Sequence, residues 1–139
     1  EKEYWEKCKR SLQELPSNVR WKYKGMADSE KIIELFSQYD IFLFPTRGEN
    51  FGHVIFEALA GGCIPIISDQ TPWNDLKDCG EVISLSSQDL FAEAINRLAR
   101  LPKDELWSMQ RRANEYAKKK YENSVANTGY IKIFEKVLK

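Results

Sequence analysis

The run Ile41-Phe42-Leu43-Phe44, four consecutive apolar residues stopped by Pro45, constrains the fold of this chain more than any other feature. A continuous apolar stretch this short suits a strand covered on both faces, as strands are in a parallel sheet. Ile64 to Ile67 repeats the pattern, and Val82 to Leu85 reads as a last short strand. Between these runs the period lengthens to that of a helix. Ile32, Ile33, Leu35 and Phe36 recur at helical spacing up to about Tyr39, with Asp28 or Ser29 able to accept the first backbone N–H groups. His53 to Ala60 reads as a helix ended by Gly61-Gly62, and Ser87 is placed to cap another that runs through Leu101. Helices are also expected from Lys103 to about Tyr121 and from Ser124 to Lys139, where Val125, Tyr130, Ile133, Phe134 and Val137 make an apolar face. Strands alternating with helices predict an α/β domain built on a parallel sheet, with a helical C-terminal tail.

Two stretches before this alternation have their own signals. The chain opens on Glu1-Lys2-Glu3 without Met, already inside a helical pattern with Tyr4, Trp5, Cys8, Leu12 and Leu15 as an approximate stripe. It reads as a piece cut from something longer. Val19 to Lys24, mixed β-branched, aromatic and basic, reads as a strand closed at Gly25. Farther on, Asp69 to Cys79 holds a turn around Thr71-Pro72 and room for a short helix.

Composition limits the function classes. The 139 residues form one domain, large enough to bury about two-thirds of the surface its unfolded chain exposes. Lys plus Arg (21) equals Asp plus Glu (21), so nothing in the charge balance favours nucleic acid or anionic lipid as the main partner. Lys118-Lys119-Lys120 is explained by a solvated helix face. Three cysteines without CxxC spacing make neither a disulfide framework nor a zinc site, which points to a reducing compartment. No apolar run approaches the length of a membrane span and no signal-peptide pattern is present, so a cytoplasmic location is expected.

In open parallel sheets ligands bind beyond the carboxyl ends of strands. The loop after Phe44 reads Pro45-Thr46-Arg47-Gly48-Glu49-Asn50-Phe51-Gly52 and feeds directly into a helix, whose first N–H groups attract anions. Gly48 and Gly52 permit close backbone approach, although an ordinary strand-to-helix turn uses glycine too. Glu57 sharpens the picture. It lies in the apolar run Val54-Ile55-Phe56-Glu57-Ala58-Leu59-Ala60, with no Lys or Arg one turn away. A carboxylate there either reaches water or a distant base at the helix edge, or accepts hydrogen bonds from ligand hydroxyls. Only the second reading also accounts for Glu49 eight residues upstream.

Glu49 and Glu57, with seven residues between them in PTRGENFGHVIFEALAGGCIPIISD, resemble the Glu-x7-Glu signature of retaining group 1 (family 4) glycosyltransferases of GT-B fold. The resemblance runs in order through Val19 to Gly25, Lys31 to Tyr39, Asp40, Ile41 to Pro45, Glu49 to Gly52, Glu57 to Gly62 and Pro65 to Ile67. Ser68-Asp69-Gln70-Thr71-Pro72-Trp73 also resembles transferases of bacterial surface polysaccharides. The resemblance implies a Rossmann-like parallel sheet, the later part of a GT-B C-terminal domain, over residues 1–139 as one nucleotide-sugar-binding unit. It implies a hexosyltransferase type of enzyme with a nucleoside diphosphate sugar as donor and a glycan or lipid as acceptor, and neither cofactor nor metal. Glu49 would meet donor-sugar hydroxyls at the catalytic centre. Asn50, Phe51 and Gly52 would offer backbone N–H groups to sugar and diphosphate, and Glu57 would bind the ribose. Arg47 is either a substitute phosphate ligand or a solvated loop arginine. His53, at the helix start near the phosphate position, is either a donor or a packing residue.

This sequence departs from the family pattern in lacking the N-terminal acceptor-binding domain, the first two strands of the C-terminal domain, and the Arg and Lys that hold the diphosphate. The isolated chain is therefore expected to be inactive. With those strands missing, Val19 to Lys24 either moves beside Ile41 to Phe44, giving four strands, or a second copy fills the gap. A homodimer anchored by Tyr4, Trp5 and Trp21 is the expectation. The full-length protein is expected to associate peripherally with membranes. Trp73 and Trp107 read as core or interface, and Cys63 as a small hydrophobe. Two other readings stay open: a GT-B nucleotide-sugar epimerase, and a non-catalytic nucleotide-binding or assembly module.

Overall fold

The computed structural model describes residues 2–127. Its elements are α1 (Lys2–Gln13), α2 (Ile32–Phe36), β1 (Ile41–Phe44), α3 (His53–Ala60), β2 (Ile64–Ser68), a single 3-10 turn (Lys77–Cys79), β3 (Glu81–Ile83), α4 (Gln88–Ala99) and α5 (Lys103–Asn127). The three strands form one parallel sheet in the order β1-β2-β3. Ile41 faces Ile64 across the first ladder and Ser68 faces Ile83 across the second.

β2 is the central strand, and all five of its residues are buried. Successive side chains leave a strand on opposite faces, so β2 serves two apolar layers. Ile67 joins Ile55, Phe56 and Leu59 of α3 and Ala113 and Ala117 of α5 on one side. Ile64 and Ile66 meet Ile83 and, from α4, Phe91, Ala94 and Leu98 on the other. Each large aliphatic side chain fully buried this way contributes roughly 1.5–3 kcal/mol. Polar contacts fix how the helices lie. Gln110 Nε2 donates to Asp40 Oδ1 (3.0 Å), and Asn114 Nδ2 donates to the Ala60 carbonyl (2.6 Å) at the C-terminal end of α3. The Cys63 thiol, wholly buried, reaches the carbonyls of Phe36 (3.0 Å) and Tyr39 (3.2 Å), tying the end of α2 to the start of β2.

The structure is an α/β fold with a parallel sheet flanked by helices, consistent with a Rossmann-like domain. Several local expectations need correcting. Val19 to Lys24 is not a strand. No described strand pairs with it, so it follows an irregular course past α2, held by rings instead of a ladder. Tyr23 packs on Trp5 of α1 at 5.0 Å, and the Lys24 ammonium lies 5.1 Å over the Tyr39 ring. Trp21 and Lys24 line a cleft with Phe36, Tyr39 and Ile41 beside the outer edge of β1. Among the described residues the sheet consequently has three strands and not four. β1 is not covered on both faces either, because α4 packs on β2 and β3 and leaves Leu43 45% exposed. The stripe of α1 contributes no buried residue.

α2 starts later than its apolar spacing suggests. Asp28 holds the preceding residues in a turn, accepting the Glu30 N–H on its carboxylate and the Lys31 N–H on its carbonyl. Ser87 occupies the N-cap position of α4 without a side-chain capping bond. α5 runs without a break through Tyr121 to Ser124, where two helices were expected. The side chains of Val125, Tyr130, Ile133, Phe134 and Val137 lie outside the described residues.

Candidate donor-binding site

β1 delivers the chain to Thr46 at the carboxyl end of the sheet, and three hydrogen bonds shape the turn. The Thr46 hydroxyl donates to the Gly48 carbonyl (2.8 Å) and accepts from the Gly48 N–H (3.3 Å). The Thr46 carbonyl accepts from the Ser68 hydroxyl (2.6 Å) at the end of β2. Loop and strand end are thereby joined at the topological position where open sheets bind ligands.

The second half of the loop enters α3 through Gly52. Its backbone is left-handed (φ 75°, ψ 45°), and its carbonyl accepts the N–H groups of Ile55 (2.9 Å) and Phe56 (3.1 Å). A glycine takes this conformation without the penalty a Cβ brings. The Gly52 N–H donates to Glu49 Oε1 (3.1 Å), so this carboxylate sits over the positive end of α3. One of the amides expected to face a donor is thus engaged by Glu49 itself. On the other side, Trp73 Nε1 donates to the Phe51 carbonyl (2.7 Å). The Phe51 and His53 rings stack with centroids 4.4 Å apart, and Phe51 keeps an exposed face.

Glu57 lies one turn into α3. Helical side chains lean toward the N-terminus, which carries this one toward His53. Glu57 is half-buried, and burial raises its pKa above the ordinary carboxylate value, with the His53 charge opposing. Glu49, Asn50, Phe51, Gly52 and His53 therefore gather at the start of α3, with Glu57 on its next turn; Arg47 is exposed on the outer part of the loop. Among the described residues no group of three or more His, Cys, Asp or Glu side chains could hold a metal ion.

Three residues that shape the site were missed as such: Thr46, Ser68 and Trp73. The Thr46-x-Gly48 spacing carried a signal, since a Thr hydroxyl two residues before a glycine favours a local turn. Trp73 carried none, because its partner lies 22 residues away in sequence.

The strand-loop-helix unit thus carries one carboxylate at the helix start and another one turn in. Residues 1–120 match the family Glycosyl transferases group 1, and the chain belongs to that family. It is 28% identical over 119 residues to the "Uncharacterized 41.2 kDa protein in cps region" of Klebsiella pneumoniae. That match covers 81% of this chain and 32% of the relative, so the chain spans about a third of that protein's length. No helix among the described residues is long and apolar enough to cross a membrane.

Proposed function

We propose that this chain binds the nucleoside diphosphate sugar donor of a retaining, family 4 type GT-B hexosyltransferase. The observation that carries the reading is the placement of Glu49, from the loop, on the Gly52 amide at the start of α3 and of Glu57 one turn inside that helix. A helix N-terminus attracts a diphosphate, whereas two carboxylates beside it repel one. The pair is favourable for such a ligand where its oxygens accept hydrogen bonds from hydroxyls, which a sugar and a ribose both supply. Glu49, with one oxygen on the Gly52 amide, turns the other to the donor sugar. Glu57 takes the ribose, and its hydroxyl partners offset the cost of its burial.

Transfer breaks the bond between the anomeric carbon and the diphosphate, so negative charge grows on the leaving phosphate. The N–H groups of the α3 N-terminus, with His53 beside them and Arg47 on the loop, stabilise that charge. The acceptor is a glycan or lipid held by a further domain, and catalysis requires both reactants together. The relative's cps region and the resemblance in Ser68 to Trp73 support a place in surface polysaccharide synthesis.

Full-length protein offered a panel of nucleoside diphosphate sugars tests this reading. Glu57→Gln is expected to raise the donor KM by about tenfold with little change in kcat, and Glu49→Gln to lower kcat by about tenfold or more. A donor KM that ignores Glu57→Gln overturns the ribose assignment.

A further inference from the structure

The peptide unit between Phe51 and Gly52 is held from both sides. A trans peptide points its C=O and N–H in opposite directions, and no cis bond occurs among the described residues. Here the Phe51 carbonyl accepts from Trp73 Nε1 at 2.7 Å, while the Gly52 N–H donates to Glu49 Oε1 at 3.1 Å. One rigid plane links Trp73 to Glu49. We propose that Trp73 is a positioning residue for Glu49: its indole N–H sets the tilt of the Phe51–Gly52 peptide, and that tilt fixes where the carboxylate meets the donor. The functional half of this inference rests on the reading of Glu49 as a donor ligand.

Three observations make Trp73 fit for the task. First, it is itself immobilised: 8% exposed, with its ring centroid 6.5 Å from that of Phe56 and 6.2 Å from that of Tyr116, and with the Lys120 ammonium 5.7 Å over it. Second, what stands behind it is cross-linked. Asp75 accepts the Tyr116 hydroxyl (2.5 Å) and pairs with Lys120 (3.2 Å), so α5 backs the indole through a closed set of polar contacts. Third, the indole edge abuts Gly52, where a Cβ would lie 2.6 Å from Nε1 and 2.9 Å from Cδ1. The peptide is therefore both hydrogen-bonded and sterically confined on the Trp73 side. A rotated peptide would give up the Phe51 bond, and its N–H would then leave Glu49.

Trp73→Phe keeps an aromatic ring and removes the donor. In the labelled protein, hydrogen exchange of the Gly52 amide is expected to accelerate about tenfold or more, while the amides of Ile66 and Ile67 in β2 keep their protection. Unaltered Gly52 exchange in folded Trp73→Phe overturns the proposal. A second measurement leaves Trp73 intact and so stands even if that variant does not fold. Glu49→Gln should shift the NMR resonance of the Trp73 indole N–H, and an indole signal indifferent to Glu49→Gln refutes the linkage.

The functional arm follows the hydrolysis of UDP-glucose and GDP-mannose, which carry the kind of group that Glu49 would meet, by the full-length protein. Trp73→Phe should lower kcat by about tenfold in the wild-type background and far less in the Glu49→Gln background, because both changes act through one group. Fully additive losses overturn the positioning role. Wild-type protein that hydrolyses neither sugar nucleotide overturns the donor role of Glu49, and with it the functional half, while the exchange and indole measurements still decide whether Trp73 governs Glu49.

Discussion

The Ser68 hydroxyl donates to the Thr46 carbonyl over 2.6 Å, joining residues 22 apart in sequence across the carboxyl end of the sheet. Ser68 is wholly buried, and its oxygen also accepts the Gln70 N–H at 3.4 Å. One side chain thus anchors both the loop after β1 and the turn after β2.

Ser68→Ala leaves the Thr46 carbonyl without that donor in a part-buried setting. A loss of about 1–3 kcal/mol is expected, read as a lower denaturant midpoint with an unchanged slope. Ser68→Ala as stable as wild type would mean that the anchor contributes nothing.

Gly48 and Gly52 look alike in the sequence and differ in the structure. A Cβ at Gly52 meets the Trp73 ring on a left-handed backbone, whereas a Cβ at Gly48 meets nothing within 4 Å. Gly52→Ala should cost about 1–3 kcal/mol and Gly48→Ala less than about 0.5 kcal/mol. Paired urea melts check this, and equal losses at the two positions contradict it.

Burial lifts the Glu57 pKa above its ordinary 4.5, with His53 pulling the other way. The folded state then binds this proton more tightly than the unfolded chain does. The contribution is fully present below the unfolded pKa and is lost as pH rises through the folded one. At neutral pH the ionised side chain costs stability that a glutamine does not. Glu57→Gln is expected to melt at the same temperature as wild type or higher at about pH 7, with the gap closing below about pH 4.5. A gap that widens on acidification rejects this account.

The three thiols should react in a fixed order. Cys63 and Cys79 are buried, and burial pushes both pKa values up to about 11, whereas Cys8 is partly exposed on α1. Few thiolates form at the buried positions, so their labelling by an aromatic disulfide at about pH 8 should lag behind Cys8 by about a hundredfold or more until the protein unfolds. Mass spectrometry of partly labelled protein identifies the first site, and early modification of Cys63 contradicts the packing described.

The parts of the fold that local pattern controls were legible. α3 runs over His53 to Ala60 as read, because its apolar run is bounded by Gly52 and Gly61-Gly62, and the apolar runs gave β1 and β2 to within a residue. Val19 to Lys24 was misjudged because alternation and β-branching describe a residue's suitability for a ladder, not the presence of a neighbouring strand. The division of α5 near Tyr121 failed for a related reason: polar residues such as Glu122, Asn123 and Ser124 weaken a helix without ending it. At the site, spacing alone brought Glu49 and Glu57 to one helix start. Ser68 and Trp73 were invisible there, since their loop contacts are made only after the sheet has closed.

α5 grips three different parts of the molecule from one face. Gln110 holds Asp40, Asn114 holds the last carbonyl of α3, and Tyr116 and Lys120 hold Asp75, while Ala113 and Ala117 fill the space between. Losing or gaining one residue within this stretch would turn everything beyond it by about 100°, exchanging buried alanines for charged neighbours. Length in α5 should therefore tolerate less change than residue identity: natural variants are expected to replace many of its outer residues freely, yet place their insertions and deletions before Leu106 or in the irregular stretch ahead of α2.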